Sequence, residues 1–308
     1  MNSMKSIRIG TRNSPLALWQ ANEAARKLKS LGVDCQIVPV LSSGDKNLSQ
    51  PLYSMGITGV FTRDLDAALL SDEIDIAVHS LKDVPTILPE NISLYAFLER
   101  DFPQDVLVRN SKSKAKPIEN LKVATSSLRR RAFWLKEFPN TEFTDIRGNV
   151  QTRLQKIEDG LADATIFSLA GLKRLALNFD YELLPFMLNA ASQGVVTIAG
   201  KTDNQWISSI LNQINHEETA LCVQAEREFL QTMEGGCTAP IGAFAEIENG
   251  KMRLVGRLCS IDGKDCIETD EITDIQFVTG FGSRLAQKVL ENGGKEIMDA
   301  LRKMNVGS

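Results

Sequence analysis

Hydrophobic and polar positions along this chain recur at two periods, and the switches between them mark its elements. Ser6–Gly10 reads as a short strand. Ser14 then stands as an N-cap, Pro15 as a first helical residue and Gly32 as a stop, with Leu16, Trp19, Ala24, Leu28 and Leu31 near one face between them. Cys35–Leu41 is a second strand. Phe61, Leu65, Ala68 and Leu69 have the spacing of an amphipathic helix, and Ile74–His79 is a buried strand. Strands alternating with helices predict an α/β fold around a largely parallel sheet.

A second α/β unit is expected after Arg100-Asp101-Phe102-Pro103. Its strands are Asp105–Arg109, Leu121–Ala124 and Ala164–Leu169, and Val150, Leu154, Ile157 and Leu161 mark a helix after Gly148-Asn149. The Ala190–Gly194 segment returns the chain to the first unit, with Val195–Ala199 as a further strand. After about His216 the pattern changes to a helix over Glu217–Thr232, then strands punctuated by hairpin turns at Asn249-Gly250 and Asp262-Gly263. A single helix from Ser283 to about Lys303 closes the chain. Three domains are therefore expected: 1–99 plus about 195–214, 100–194, and a small α+β domain at 215–308.

A length of 308 residues can hold two or three such cores, and 43% apolar with 24% charged residues is a globular composition. The net charge of −4 argues against general nucleic-acid binding, for which a basic domain is usual. Met1–Gly10 has no apolar signal core, and no run approaches the roughly 18 apolar residues of a membrane span. A cytoplasmic location without membrane contact is expected. Five cysteines (35, 222, 237, 259 and 266) include no Cys-x-x-Cys and there are two histidines, so neither metal binding nor a disulfide scaffold is indicated. Cys259 and Cys266 would face each other across a two-residue Asp262-Gly263 turn, and are expected to stay thiols.

Charge changes the picture locally. Thr11-Arg12-Asn13-Ser14-Pro15, Thr125-Ser126-Ser127-Leu128-Arg129-Arg130-Arg131 and Arg147-Gly148-Asn149-Val150-Gln151-Thr152-Arg153 each put arginine at or just before a helix start. A helix N-terminus is already partly positive, so repeated cations there call for an anionic ligand. One arginine alone is usually a solvated side chain. Arg129, Arg130 and Arg131, however, point about 100° apart, so at least one should face the sheet. Lys82 and Asp83 follow the strand ending at His79, at the edge where α/β sheets place ligands. A solvated turn with an ordinary ion pair reads the same spacing equally well. Lys173 and Arg174 add cations near another strand end. Glu234-Gly235-Gly236 leaves the Cys237 thiol sterically open for covalent attachment, against the blander reading of a small residue at a turn.

Six segments in order resemble the porphobilinogen deaminase (hydroxymethylbilane synthase) family over nearly the whole chain. They are Thr11–Ala17, His79–Pro85, Thr125–Arg130, Arg147–Arg153, Ala170–Leu175 and Glu234–Cys237. The resemblance implies two type II periplasmic-binding-protein-like α/β domains around a cleft plus the small C-terminal α+β domain. It implies a dipyrromethane cofactor attached to Cys237, and head-to-tail addition of four porphobilinogen units with loss of ammonia to give hydroxymethylbilane. Asp83 is then the catalytic residue. Cys237, Lys82, Asp83, Asp45, Ser126, Ser127, Arg129, Arg130, Arg147 and Gly148 would hold the cofactor, and Arg12, Ser14, Arg153, Arg174 and Gln193 the substrate. Each pyrrole carries an acetate and a propionate, so oligopyrrole intermediates gain two carboxylates per unit, which suits bidentate arginine. A monomer is implied.

Two positions depart from the family pattern. Gly56-Ile57-Thr58-Gly59-Val60-Phe61 puts Thr58 where a cofactor-facing lysine is usual. Asn189-Ala190-Ala191-Ser192-Gln193-Gly194 lacks the usual proline and has Ser192 for a glycine. The rival readings are a two-lobed anion-binding module and an inactive relative.

Overall fold

The computed structural model describes residues 6–41, 62–233 and 239–306. Asp45, Thr58, Phe61 and Cys237 lie outside the described residues. The described chain falls into two compact units, one of residues 6–41, 62–101 and 194–220, the other of 102–193, 221–233 and 239–306.

In chain order the first elements are β1 (Ile7–Arg12), α1 (Pro15–Ser30), β2 (Cys35–Val40), α2 (Arg63–Leu70), β3 (Ile76–Ser80) and β4 (Ile92–Phe97). Then come β5 (Asp105–Arg109), β6 (Val123–Ala124), α3 (Leu128–Glu137), β7 (Phe143–Thr144), α4 (Val150–Glu158), β8 (Ala164–Ser168), α5 (Leu169–Arg174) and β9 (Glu182–Leu183). The chain continues through β10 (Val196–Lys201), α6 (Gln205–Leu211), α7 (Glu217–Thr232), β11 (Ile241–Glu248), β12 (Lys251–Cys259) and β13 (Cys266–Asp274). It ends in α8 (Phe281–Val289) and α9 (Lys295–Val306). The α/β class with a C-terminal α+β part is the one expected from the sequence.

Local signals account for many boundaries. Ser14 Oγ accepts from Ala17 N at 3.3 Å with Pro15 in the first turn, and Gly32 beyond the end of α1 takes φ 78°. Asn249 (φ 51°) and Gly250 (φ 72°) form the two-residue turn that pairs Glu248 with Lys251, because both positions need the left-handed region.

The two five-stranded sheets share one topology, β2-β1-β3-β10-β4 and β7-β6-β8-β5-β9. Each is largely parallel, as expected, with four strands pointing one way, but one strand in each is reversed, which the sequence did not predict. β10 runs antiparallel to β3 and β4, and β5 runs antiparallel to β8 and β9. Each of these strands enters its sheet from the other one, so no local strand–helix–strand crossover sets its direction. Period-two alternation feeds cores on both faces of the first sheet: Ile7, Ile9, Ile76 and Val78 pack with Leu28 of α1, and Ala77 and Ala199 with Leu65 and Leu69 of α2.

The C-terminal part is the antiparallel sheet β11-β12-β13 under α7, α8 and α9. Gly256 lets the Phe229 ring lie against β12, since a Cβ there would stand 2.4 Å from Phe229 Cζ. The single closing helix expected from the sequence is two helices, broken where Gly293 takes φ 103°. The Asp262-Gly263 turn is also longer than expected: Ser260–Asp265 separate the strands, and Cys259 and Cys266 form a disulfide rather than remaining thiols. The ladder places these two residues directly opposite each other.

The altered Asn189–Gly194 turn has a visible local cost. Ser192 is held at φ 66° with its Oγ buried and unpartnered, while its N–H donates to buried Glu226 at 2.6 Å. A left-handed non-glycine residue and an unsatisfied buried hydroxyl are both unfavourable. Ser192→Gly is expected to raise unfolding free energy by about 1 kcal/mol, read from urea denaturation; an unchanged or lower midpoint would show that the turn is not strained.

Candidate active site

In the first unit β1 and β3 are parallel neighbours, so Arg12 and Ser80, their last residues, lie at one sheet edge. Gln20 of α1 donates to Ser80 Oγ at 2.7 Å. Beyond Ser80 the chain makes a single 3₁₀ turn, Leu81–Asp83. That turn is fixed at both ends: Leu81 N donates to Val195 O at 2.9 Å and Val84 N to Leu81 O at 3.0 Å. Lys82 and Asp83 are carried on it, both half-buried. The Asp83 carboxylate makes no hydrogen bond or ion pair among the described residues. Ser14 sits at the same edge as the cap of α1.

His79 lies beneath this turn, 6% exposed. Burial, reinforced by the positive charge of Arg12, lowers its pKa to about 4. The unfolded imidazole, with a pKa near 6.5, protonates first, so stability is fully present above about pH 6.5 and is lost as pH falls toward 4. The expected loss over that window is roughly 3 kcal/mol, read from urea midpoints between pH 7 and 4. His79→Gln should flatten that part of the profile; a profile identical to that of the parent chain would exclude His79 as its source.

In the second unit β6, β7 and β8 are mutually parallel, and three expected segments follow their ends. Ser126 Oγ donates to Ile146 O at 3.1 Å and accepts from Ile146 N at 3.0 Å, tying the loop after β6 to the loop after β7. Ser127 caps α3 by accepting from Arg130 N at 3.4 Å, and Asn149 caps α4 by accepting from Thr152 N at 2.8 Å. Gly148 is required at φ 118°, where a Cβ would come within 2.8 Å of Thr152 Cγ2.

The arginines divide into two groups. Arg129 and Arg130 both turn inward to one buried carboxylate: Arg129 Nη2 lies 2.6 Å from Asp105 Oδ2, and Arg130 Nη2 lies 2.7 Å from Oδ1. Gln193 Nε2 also donates to Asp105 Oδ1, at 2.9 Å, and to Pro103 O at 2.7 Å. Arg131 instead reaches Thr125 O and Asp145.

Arg147 and Arg153 are uncommitted by comparison. No side-chain hydrogen bond of Arg147 is made among the described residues, and burial lowers its pKa against the opposing pull of Asp145. Arg153 lies over the Phe167 ring at 4.4 Å, and its Nε is buried with no acceptor. Burial, with Arg130 as a like charge nearby, lowers its pKa to about 9. Arg174 is buried on α5.

Asp105 is the residue that the sequence reading missed. Its signal was one carboxylate directly before the apolar run Val106-Leu107-Val108 at the start of a strand. A buried carboxylate needs paired cations, and the arginine run supplies two. Glu226 was also missed: it is fully buried and accepts from Ser192 N and Ala245 N.

Among the described residues no helix is long and apolar enough to cross a membrane. The family described as porphobilinogen deaminase, dipyromethane cofactor binding domain, matches residues 7–209, and porphobilinogen deaminase, C-terminal domain, matches residues 220–291. The chain is 40% identical to porphobilinogen deaminase of Geotalea uraniireducens (strain Rf4) over 96% of its length and 95% of the relative's. Against porphobilinogen deaminase of Chlorobium chlorochromatii (strain CaD3) it is 40% identical over 97% and 99%. A probable porphobilinogen deaminase of Methanocaldococcus jannaschii is 47% identical over 78% of this chain and 82% of its own. Among solved structures, an ancestral arginine-binding protein bound to arginine is similar at 17% identity, covering 68% of this chain and 91% of that chain with a TM-score of 0.39. By its sequence relatives, the chain belongs to the porphobilinogen deaminase family.

Proposed function

We infer that the chain is a hydroxymethylbilane synthase, a transferase that condenses four porphobilinogen molecules head to tail, releasing ammonia, to give the linear tetrapyrrole hydroxymethylbilane. The family matches over residues 7–209 and 220–291 support the activity. The observation in this chain that carries the reading is Arg153, a guanidinium at a sheet's ligand edge whose buried Nε has no acceptor. An unsatisfied buried donor on a cation fits a carboxylate ligand. The open Nε of Arg130 is a donor of the same kind, and Arg147, whose side chain makes no hydrogen bond among the described residues, adds a further cation.

These donors suit dipyrromethane, whose rings carry carboxylate side chains. When bound, it supplies a nucleophilic pyrrole carbon and a covalent anchor at Cys237. Ser126, Ser127, Arg129, Arg130, Arg147 and Gly148, with Lys82 and Asp45, are the residues proposed to hold it. Arg12, Ser14, Arg153, Arg174 and Gln193 are proposed for the substrate and the lengthening oligopyrrole. Within these groups Asp105 fixes the charges of Arg129 and Arg130 in place, with the neutral amide of Gln193 on the same carboxylate, while Arg147, Arg153 and the open Nε of Arg130 make the direct carboxylate contacts. Asp83 offers an unengaged carboxylate to pyrrole N–H groups and to the cation left on the substrate when ammonia departs, stabilising that charge and moving protons.

Three functional domains, 1–99 with about 195–214, 100–194 and 215–308, follow from the same reading. So do a cytoplasmic, monomeric enzyme and the absence of nucleic-acid and membrane partners. The test is intact-mass measurement of the purified chain. It is expected to carry the added mass of about two pyrrole units, and Cys237→Ser is expected to lack it, since the thioether needs that sulfur. An active chain with no added mass would overturn the reading. A chain that binds porphobilinogen without releasing ammonia would favour the binding-module alternative.

A further inference from the structure

The loop joining β12 to β13 is docked on α3, the helix whose first turn carries Arg129 and Arg130. Gly263, at φ 72°, lies so close that a Cβ would stand 2.5 Å from Ala132 O and 2.7 Å from Lys136 N. Cys259 is fully buried in the core that contains Phe133 and Trp134, and Cys266 is half-buried against it. Arg257 strengthens the dock by donating to Phe186 O at 2.7 Å and pairing with Glu268 at 2.8 Å.

The two sulfur-bearing residues are not equivalent. Cys266 lines a cavity of ≈ 570 Å³ together with Ile261, Lys264, Asp265, Glu296 and Met304, and Cys259 does not. That volume lies within the range of about 300–1,000 Å³ usual for small-molecule pockets. As a stability device the bond is poorly placed. It closes a separation of seven residues within a hairpin whose ladder already pairs them, so it removes little freedom from the unfolded chain.

We propose that Cys259–Cys266 is a thiol–disulfide exchange site that takes a low-molecular-weight thiol at Cys266 through this cavity. The entering thiolate attacks Cys266 Sγ and the disulfide bond breaks. Its electron pair leaves on Cys259 Sγ, which takes up a proton, and a mixed disulfide remains on Cys266. A second thiol displaces the first as its own disulfide and leaves Cys266 as a thiol, so two small thiols are oxidised for one protein disulfide reduced. Access alone dictates the order, because an attacking sulfur approaches the half-buried partner that lines the cavity and not the fully buried one. Opening the bond frees Cys266 from Cys259, which stays in the core with Phe133 and Trp134 of α3, and so loosens the loop's seat against that helix.

Glutathione is the probe, and peptide mass spectrometry of the native full-length chain is the readout. Reduced glutathione in excess should convert the pair to two alkylatable thiols, with any trapped mixed disulfide on Cys266. With oxidised glutathione, Cys259→Ala should take one glutathionyl group at Cys266 at least about tenfold faster than Cys266→Ala takes one at Cys259. Amide exchange in α3 should rise about tenfold on reduction. Equal reactivity of the two cysteines, a native pair inert to excess glutathione, or α3 exchange that ignores the redox state would each overturn the proposal. If either variant fails to fold, the position of the trapped adduct in the unsubstituted chain decides the order of attack.

Discussion

Replacing Asp83 by asparagine should lower turnover by about 10²–10⁴-fold while dipyrromethane attachment and substrate binding persist. The expectation rests on a contrast between two carboxylates. Asp105 is fully buried and engaged by two arginines and a glutamine amide. Asp83 is half-buried, on a turn whose backbone is pinned to Val195, and its carboxylate is engaged by nothing among the described residues. A fixed but unpartnered carboxylate is organised for a charge that exists only during the reaction. Asparagine keeps the size and can still accept a pyrrole N–H, but it can neither stabilise the cation left when ammonia departs nor carry a proton. The loss should therefore appear in kcat more than in KM, since the interaction belongs to the transition state. Ammonia release by the purified variant measures it, with intact mass confirming the attached cofactor. Turnover within about threefold of the parent chain would remove Asp83 from the chemistry.

Elements whose signals are local were legible in the sequence. Ser14-Pro15 starts α1 and Asn249-Gly250 turns β11 into β12, because capping and turn geometry depend on the residues themselves. Strand direction was not. β5 and β10 read as strands, but an antiparallel entry depends on where the chain comes from, which no periodicity encodes. The consequence reaches the candidate site. Because β5 runs against β8, its first residue pairs with the last of β8, Asp105 with Ser168. That places the carboxylate at the edge where the arginines begin. By the same logic Val196 pairs with Ser80, bringing Val195 to the Asp83 turn. The sequence therefore marked the cationic segments and Asp83 as candidates, while the partner that fixes Arg129 and Arg130 was hidden in a strand start. The break at Gly293 was also missed, although Asn292-Gly293-Gly294 is a local stop signal inside a helical pattern.

Asp105→Asn is expected to destabilise the chain by about 3–5 kcal/mol, the largest stability effect foreseen for a single substitution here. The substitution preserves shape and one acceptor, so lost packing does not account for it. What remains is two guanidinium groups, Arg129 and Arg130, both nearly buried and both robbed of their counter-charge. Arg129 already has its pKa lowered, chiefly by burial, with Asp105 opposing that shift. Removing the opposition leaves the desolvation cost uncompensated. The asparagine amide would also turn an N–H toward one arginine, replacing an attraction with two facing donors. Urea unfolding measures the loss, and a second substitution identifies its cause. Arg130→Met in the Asp105→Asn background removes one stranded charge, so the double variant should be more stable than the sum of the two single losses by about 1–3 kcal/mol. Additive losses would mean that Asp105 stabilises β5 by some route other than the arginines. A coupled loss would instead identify the buried ion cluster as the framework that keeps two cations in place beside Arg153, where an anionic ligand meets guanidinium groups oriented before it arrives.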